Sequence, residues 1–253
     1  MAAPLWTPSK QYTESSTLFA FKNYIEAKYK NNIPDYPSLH QWSIDHLDSF
    51  WESILNYFDI SYSGNYTKVL DWEANNPDFI AAKWFEGMEL SYAEHIFKSH
   101  KANGVAIKFQ SEYEEYQEVT WKELKSKVSK IQQYLIDQGI SKGDRIAAIL
   151  NNRTDTIAIF LAANSLGAIW SCCSPDFGDK AIVERFEQIE PKLLFIETKY
   201  QYNDKTFSKN DTLTMLISKL ITLQSIVNLN DSMWNTIMDK YTPKALTFVR
   251  VPF

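Results

Sequence analysis

Glycine is scarce in this chain, with seven among 253 residues, and the glycine-rich phosphate-binding motifs are missing. Neither G-x-G-x-x-G nor G-x-x-x-x-G-K-[ST] occurs, which argues against a dinucleotide-binding fingerprint and against a Walker loop. The G-x-S-x-G elbow of α/β-hydrolases and the H-E-x-x-H helix of metalloproteases are missing too. The sequence therefore contains none of these four motifs of common enzyme classes.

Cysteine is scarcer still, because Cys172 and Cys173 are the only two and they are adjacent. Neighbouring cysteines inside a predicted strand suit neither a disulfide framework nor a zinc ligand set. We therefore predict no metal site and expect a reducing, cytoplasmic setting. All four histidines lie in the aromatic N-terminal part, so we interpret them as packing residues and not as metal ligands. They are His40, His46, His95 and His100.

Positive charge is not in excess, since the formal net charge is −5 and the pI is near 5.5. A nucleic-acid-binding surface needs clustered lysines and arginines, so nucleic acid is not an expected partner. Thr156 to Cys173 is free of charge, but Asn164, Ser165 and Gly167 interrupt it, so no membrane span is expected. The start, MAAPLWTPSK, lacks the apolar core of a secretory signal.

Residues 1 to 103 are rich in aromatic side chains and are predicted to form a mainly helical cap. Thr17 to Lys30 and Leu47 to Phe58 each place large apolar residues on one helical face. Tryptophans more often fill a core than line a ligand cage, so we interpret those of the cap as packing residues. They are Trp6, Trp42, Trp51, Trp72 and Trp84.

Residues 104 to 253 alternate between predicted strands and helices, which indicates an α/β fold with a doubly wound, mostly parallel sheet. A capping box from Thr120 to Glu123 opens a helix that ends at Gly139. The other elements around the centre are strands at residues 105–109, 193–197 and 225–229 and helices at residues 179–189 and 212–220.

The centre of this alternation is the stretch from Ile140 to Gly178, which predicts a strand–helix–strand unit. Its two apolar runs, residues 145–150 and 168–173, are typical of buried parallel strands. Thr154 or Asp155 is expected to cap the helix between them, and Gly167 to end it. Such a unit is a right-handed crossover, and ligands of open α/β sheets sit beyond the carboxyl ends of the strands.

Ser174 to Gly178 follows the second strand and is where we would look first for a ligand. A helix beginning near Asp179 would direct its positive dipole end toward an anion such as a phosphate. A plain strand-to-helix turn, with Asp176 as the helix cap, is the other interpretation, and spacing alone favours it. The cations that could pair with a phosphate are Arg185, Lys192, Lys199 and Lys205.

Several stretches carry a resemblance to a known family, namely PLWTPS, LHQWSIDHLDSFWESILNYFDI, KWFEGMELSYAEHIF, GDRIAAILNN, SLGAIWSCCSPDFG, RFEQIEPKLL and YQYNDK. In their order and their spread from Pro4 to Lys205, the chain resembles the N-terminal part of the acyl-CoA synthetases of the adenylate-forming superfamily. SPDFG with YNDK resembles the acetoacetate-activating branch more than the acetyl- or propionyl-activating ones. Ser91 is a departure, since relatives commonly have asparagine there.

The resemblance implies a ligase that joins acetoacetate to CoA in two steps. ATP and the acid would give an acyl-adenylate and pyrophosphate, and CoA would then release AMP, with Mg²⁺ stabilising charge on the phosphates. The family's phosphate-binding loop, of the type S-S-G-T-T-G-x-P-K, does not occur in this sequence. The chain is thus expected to be an N-terminal fragment that contains no catalytic residues and is inactive alone.

By position in these motifs, four residues fall where relatives contact CoA: Pro175, Asp176, Tyr202 and Lys205. The relatives carry glycines and arginines there. Tyrosine cannot supply charge to a phosphate as arginine does, so Lys205 is the expected phosphate partner. The residues that select the acid lie later in the family's chain.

A second interpretation fits the same residues, namely a stand-alone α/β binding or interaction module without catalysis. The two interpretations differ in whether coding sequence continues past Phe253. If the chain is a fragment, part of its sheet lacks its usual neighbours, so exposed apolar surface and self-association are expected.

Overall fold

The computed structural model describes residues 5–72, 78–98 and 100–253. The chain divides into two compact units, one of Met1–Met88 with Pro252–Phe253 and one of Glu89–Val251. The expected division into a cap of residues 1–103 and an α/β portion of residues 104–253 stays a prediction. Within the described ranges, no helix is long and apolar enough to cross a membrane.

The first unit is built mainly from helices, and both helices expected from the sequence are confirmed to within one residue. Ser16 caps the first of them by accepting a hydrogen bond from the Phe19 N–H. The elements are α1 (Lys10–Glu14), α2 (Thr17–Tyr29), α3 (Tyr36–Asp45), α4 (Leu47–Tyr57), β1 (Tyr62–Gly64), β2 (Leu70–Asp71), a 3₁₀ turn (Phe79–Ala81), β3 (Lys83–Trp84) and β4 (Met88–Leu90), which leads into the second unit.

The tryptophans of this unit differ in their packing. Trp42 lies in the core with Phe21 and Ile25, as expected. Trp6 is 73% exposed, so the packing interpretation is wrong for this side chain. Trp51 is 41% exposed but packs edge-on against the rings of Phe50 and Trp84.

The second unit confirms the alternation of strands and helices. The predicted capping box is present, since Thr120 accepts from the N–H of Glu123 and the Glu123 carboxylate accepts from the N–H of Thr120. The elements are α5 (Tyr92–Phe97), β5 (Val105–Phe109), β6 (Gln117–Thr120), α6 (Trp121–Asp137), β7 (Arg145–Ile149), α7 (Thr154–Ser165), β8 (Ile169–Cys173), α8 (Asp179–Ile189), β9 (Leu193–Ile196), β10 (Lys199–Tyr202), β11 (Lys205–Ser208), α9 (Asn210–Lys219), β12 (Ser225–Asn228), α10 (Ser232–Lys240) and β13 (Val251–Pro252).

A parallel sheet with the strand order β12-β9-β7-β8 forms the centre of this unit. Side chains of β7 alternate between its faces. Ile146 and Ala148 pack with residues of α6, α7 and α10, whereas Ala147 and Ile149 pack with residues of α8 and α9. Helices therefore cover both faces, which confirms the doubly wound, mostly parallel α/β fold.

The order of the strands reverses between β7 and β9. From β7 the chain crosses to β8 on one side, and β9 then pairs with the other side of β7. The crevice beyond the carboxyl ends of strands at such a point is the usual ligand site of an open α/β sheet.

β8 is an edge strand, which corrects the expectation that it is a buried strand. Cys173 is 3% exposed, but Ile169 is 52% exposed and the neighbouring Cys172 is exposed as well. An apolar run predicts a strand, but strand order decides whether a neighbour covers it.

The start of α7 also differs from expectation. Arg153 occupies the cap position, so neither Thr154 nor Asp155 caps the helix. Asp155 instead accepts a hydrogen bond from the ammonium of Lys127 on α6 at 2.7 Å. The expected end at Gly167 is confirmed, since this glycine has the left-handed φ of 68°.

Candidate functional site

A cavity of about 530 Å³ opens beyond the carboxyl ends of β7, β9 and β12, where the strand order reverses. Asn151 and Arg153 follow β7, and Glu197 follows β9. Tyr113 and Tyr202 add aromatic side chains to its wall. The position and the mixture of polar and aromatic groups are those of a small-molecule site.

Glu197 places a carboxylate beside this cavity with almost no contact with solvent, since the residue is 1% exposed. It accepts two hydrogen bonds at 2.8 Å, one from the backbone N–H of Asn151 and one from Nη1 of Arg153. Burial opposes the charged form of Arg153, but the hydrogen bond and the charge of Glu197 outweigh it and raise the pKa of the guanidinium. The ion pair thus joins the ends of two neighbouring strands.

Neither Arg153 nor Glu197 was predicted from the sequence as a site residue. A usable signal was present, because Asn151 and Glu197 each directly follow the apolar run of a predicted central strand. Polar residues at that position lie at the carboxyl edge of the sheet, where ligands bind.

A hairpin of β10 and β11 borders the cavity, and Tyr202 and Lys205 face each other across its turn. Asn203 and Asp204 form the turn with φ of 49° and 58°, a left-handed pair that such turns require and that Asn and Asp tolerate. The N–H of Asp204 donates to the Tyr113 hydroxyl at 2.6 Å. On this hairpin, Tyr202 lines the cavity and Lys205 is exposed to solvent.

The Ser174 to Gly178 turn lies beyond the carboxyl end of β8. Its Pro175 is buried and its Asp176 is exposed. Helix α8 begins at Asp179 with Gly178 at the cap position, so Asp176 is not the helix cap that the plain-turn interpretation expected. Anion binding at this helix start stays a prediction.

Lys209 connects the turn and the hairpin, and it was not among the residues predicted from the sequence. Its ammonium donates to the Phe177 carbonyl at 2.8 Å and to Asp179 at 2.9 Å. Asp179 also accepts from the Thr212 hydroxyl; this hydrogen bond and the one from Lys209 hold the pKa of Asp179 below its ordinary value. The two segments predicted to contact CoA are thus tied together, while the contacts themselves stay a prediction.

The other candidate cations have structural partners or face solvent. Lys192 donates to the Gly139 carbonyl at 2.6 Å and pairs with Asp144 at 3.1 Å, so a phosphate role for it finds no support. Arg185 lies over the ring of Phe177 at 5.2 Å. Lys199 is exposed and lines the cavity.

Two of the histidines make contacts typical of packing. His46 stacks on Trp42 at 5.3 Å between ring centroids, and His100 stacks on Trp121 at 3.7 Å. Among the residues that the structure describes, no group of three or more His, Cys, Asp or Glu side chains is placed to hold a metal ion.

Two family models match the chain. Residues 93–244 match the model described as AMP-binding enzyme, and residues 36–96 match the one described as acetyl-coenzyme A synthetase N-terminus. The first covers most of the second structural unit, including the parallel sheet and the cavity.

Curated relatives and a solved structure agree with these models. The chain is 35% identical to the acetoacetyl-coenzyme A synthetase of Rhizobium meliloti (strain 1021), over 80% of this chain and 30% of the relative. It is 34% identical to the acetoacetyl-CoA synthetase of Danio rerio, over 88% of this chain and 33% of the relative. The structure of acetoacetyl-CoA synthetase from Streptomyces lividans matches with a TM-score of 0.87 and 29% identity, covering 99% of this chain and 40% of that one.

The chain spans about a third of the length of the curated relatives it matches. The similarity therefore concerns only one part of those relatives.

Proposed function

The chain belongs to the AMP-binding enzyme family, and we propose that it is the N-terminal part of an acetoacetate–CoA ligase. The observation that carries the proposal is the similarity to acetoacetyl-CoA synthetases, at 34–35% identity over at least 80% of this chain in the two relatives described above. The structural likeness to a solved synthetase, at a TM-score of 0.87, also supports it. The setting we propose is cytoplasmic.

The proposed reaction has two steps. A carboxylate oxygen of acetoacetate attacks the α-phosphorus of ATP, which releases pyrophosphate and leaves the acyl-adenylate. The thiol of CoA then attacks the acyl carbonyl, and AMP departs. We assign the catalytic groups to the remainder of the protein, since the family's phosphate-binding loop does not occur in this sequence.

In the part of the chain that the structure describes, no group of three or more candidate ligands is placed to hold magnesium. The described residues fit CoA better. The exposed ammonium of Lys205 is free to approach a phosphate, and the ring of Tyr202 offers a face on which a base can stack. We propose that the turn of Pro175 and Asp176 approaches the same ligand, with the exposed Asp176 toward it and the buried Pro175 shaping the turn. When bound, CoA supplies the thiol nucleophile.

The test uses the complete protein, obtained by following the reading frame past the codon for Phe253. We expect acetoacetate-dependent exchange of pyrophosphate into ATP without CoA, and thioester formation once CoA is added. Exchange that acetate or propionate supports as well as acetoacetate would contradict the assigned acid. A stop codon directly after Phe253 would refute the ligase proposal and favour the non-catalytic binding module.

The CoA contact is tested by Lys205→Ala in the same protein. Loss of a phosphate contact is expected to raise the KM for CoA by roughly tenfold, while the pyrophosphate exchange stays as it was. Lys219→Ala is a matched control, because Lys219 forms a half-exposed ion pair with Glu187 and does not line the cavity. An unchanged KM for CoA in Lys205→Ala would remove this residue from the site.

We also propose that the 253-residue chain self-associates through the free edge of β8. Strand edges with unpaired backbone groups recruit further strands, and Ile169 on this edge is 52% exposed. Light scattering should detect dimers or larger species at micromolar concentration, and Ile169→Lys should reduce them. A monodisperse monomer would contradict this expectation.

A further inference from the structure

One buried lysine joins the two segments that carry the predicted CoA contacts. Lys209 directly follows β11, and its backbone N–H donates to the Thr198 carbonyl beside β10 at 2.8 Å, which closes the base of the hairpin. Its side chain extends to the other segment, where the ammonium donates to the Phe177 carbonyl at 2.8 Å and to Asp179 at 2.9 Å. Lys209 therefore contacts the hairpin through its backbone and the turn beyond β8 through its side chain.

The surroundings of Lys209 are those of a structural support for the site. Its side chain is 9% exposed, and two of its three N–H donors are taken by protein acceptors. An ammonium loses its hydration on burial, so its partners must replace the water. The partner Asp179 is itself held by Thr212 on α9, which is fully buried.

The tip of the hairpin is held less firmly than its base. The N–H groups of Asn203 and Asp204 donate to Glu112 and to the Tyr113 hydroxyl, and these residues are exposed. Water competes readily for exposed hydrogen bonds. The direction of the hairpin relative to the turn is therefore fixed mainly where Lys209 lies.

From this arrangement we propose that Lys209 is a positioning residue for the CoA step. It sets the spacing between the turn with Pro175 and Asp176 and the hairpin with Tyr202 and Lys205. The inference rests on the proposed function. Displacing one half of a binding site by about 1 Å can lower a rate by up to about 100-fold. The adenylation step uses no CoA, so it should not depend on this spacing.

The experiment compares substitutions in the complete protein. Lys209→Met removes the ammonium and keeps the length of the side chain, whereas Lys209→Arg keeps the charge. Lys219→Met is the matched control, since this lysine at the end of α9 pairs with Glu187 at 3.3 Å near the surface. The readouts are acetoacetate-dependent pyrophosphate exchange without CoA, and the KM and kcat of thioester formation at varied CoA.

Lys209→Met is expected to raise the KM for CoA by about tenfold or more, with pyrophosphate exchange within about twofold of its original rate. Lys209→Arg should restore part of the loss, and Lys219→Met should change neither readout. An unchanged KM with intact exchange would overturn the positioning role and leave the ligase proposal standing. No exchange in the unsubstituted protein would instead refute the ligase proposal, and this inference with it.

A second variant covers the case in which Lys209→Met loses both activities. Asp179→Asn weakens the same contact while keeping the shape of the side chain and a hydrogen-bonding partner for Thr212. A selective rise in the KM for CoA would then support the positioning role. Equal loss of both half-reactions would refute it, because a general role in folding predicts that pattern.

Discussion

Replacing Arg153 by methionine should destabilise the second unit by leaving a carboxylate buried without its cation. Glu197 is 1% exposed and would keep the backbone N–H of Asn151 as a partner. Breaking a fully buried ion pair on one side costs about 3–5 kcal/mol. Since the Arg153 side chain is 31% exposed, we expect a smaller loss of about 2–3 kcal/mol.

Glu197→Gln should cost less than Arg153→Met. The amide oxygen of glutamine can still accept from the Asn151 N–H, and Arg153 retains Glu114 and Asp155 at 3.7 and 3.8 Å. The double variant leaves no buried charge unpaired. Its loss in free energy of unfolding should therefore be about 1–2 kcal/mol smaller than the sum of the losses in the two single variants.

The measurement is equilibrium unfolding of the four proteins by urea and by heat. For a unit of this size, 2–3 kcal/mol corresponds to a fall in Tm of roughly 4–12 °C. The transition of the first unit should not move if the two units unfold separately, which provides an internal control. Single losses that add within about 0.3 kcal/mol would show that the two side chains do not interact, and would refute this account of the site.

Further consequences concern a turn, a carboxylate and a thiol. Gly167→Ala should lower the free energy of unfolding by about 1 kcal/mol more than Gly139→Ala, as measured by thermal unfolding. Both glycines have φ of 68°, but a Cβ added at 167 lies 3.2 Å from two valine methyl groups, whereas one added at 139 meets nothing within 4 Å. Equal losses would contradict the close approach at 167. Because the pKa of Asp179 is lowered in the native state, its stabilising effect should be complete above the ordinary carboxyl pKa and should fade as the pH falls through the native value. Asp179→Asn should thus show a stability deficit at pH 7 that shrinks in acid, and a deficit independent of pH would argue against the ion pair. Although Cys172 is exposed at the sheet edge, its sulfur is partly desolvated, and this desolvation raises the pKa of the thiol to about 11. Alkylation at pH 8 should therefore be slower than that of a free thiol by roughly 100-fold and should speed up toward pH 11; rapid labelling at pH 8 would show that solvent reaches the sulfur freely and would refute this.

The local structure of the second unit could be predicted because its signals are local. The capping box of Thr120 and Glu123 lies within one turn of α6, and Gly167 ends α7 through its own φ. The alternation of apolar runs with amphipathic stretches was enough to predict a doubly wound sheet. Even so, the cap of α7 was misplaced. Arg153 occupies that position, and its side chain pairs with Glu197, which follows β9.

The candidate site was predicted only in part. The resemblance drew attention to the turn around Pro175 and to the hairpin of Tyr202 and Lys205, which occur in recognisable motifs. Lys209 occurs outside them, and nothing in its own neighbourhood of the sequence points to the Phe177 carbonyl that it binds. Its partners are about thirty residues away, so their contact depends on how β8, α8 and the hairpin pack.

By itself, the sequence determined the class of fold and the strands of the parallel sheet with most of the helices around them, since periodicity, capping and turn chemistry act over a few residues. The hairpin of β10 and β11 and helix α10 were not predicted. Only the tertiary structure decided that β8 lies at an edge with Ile169 exposed. It likewise decided that Arg153 meets Glu197 where the strand order reverses, and that Lys209 links the turn to the hairpin. Strand order and long-range pairing arise from packing of the whole unit, and no short stretch of sequence encodes them.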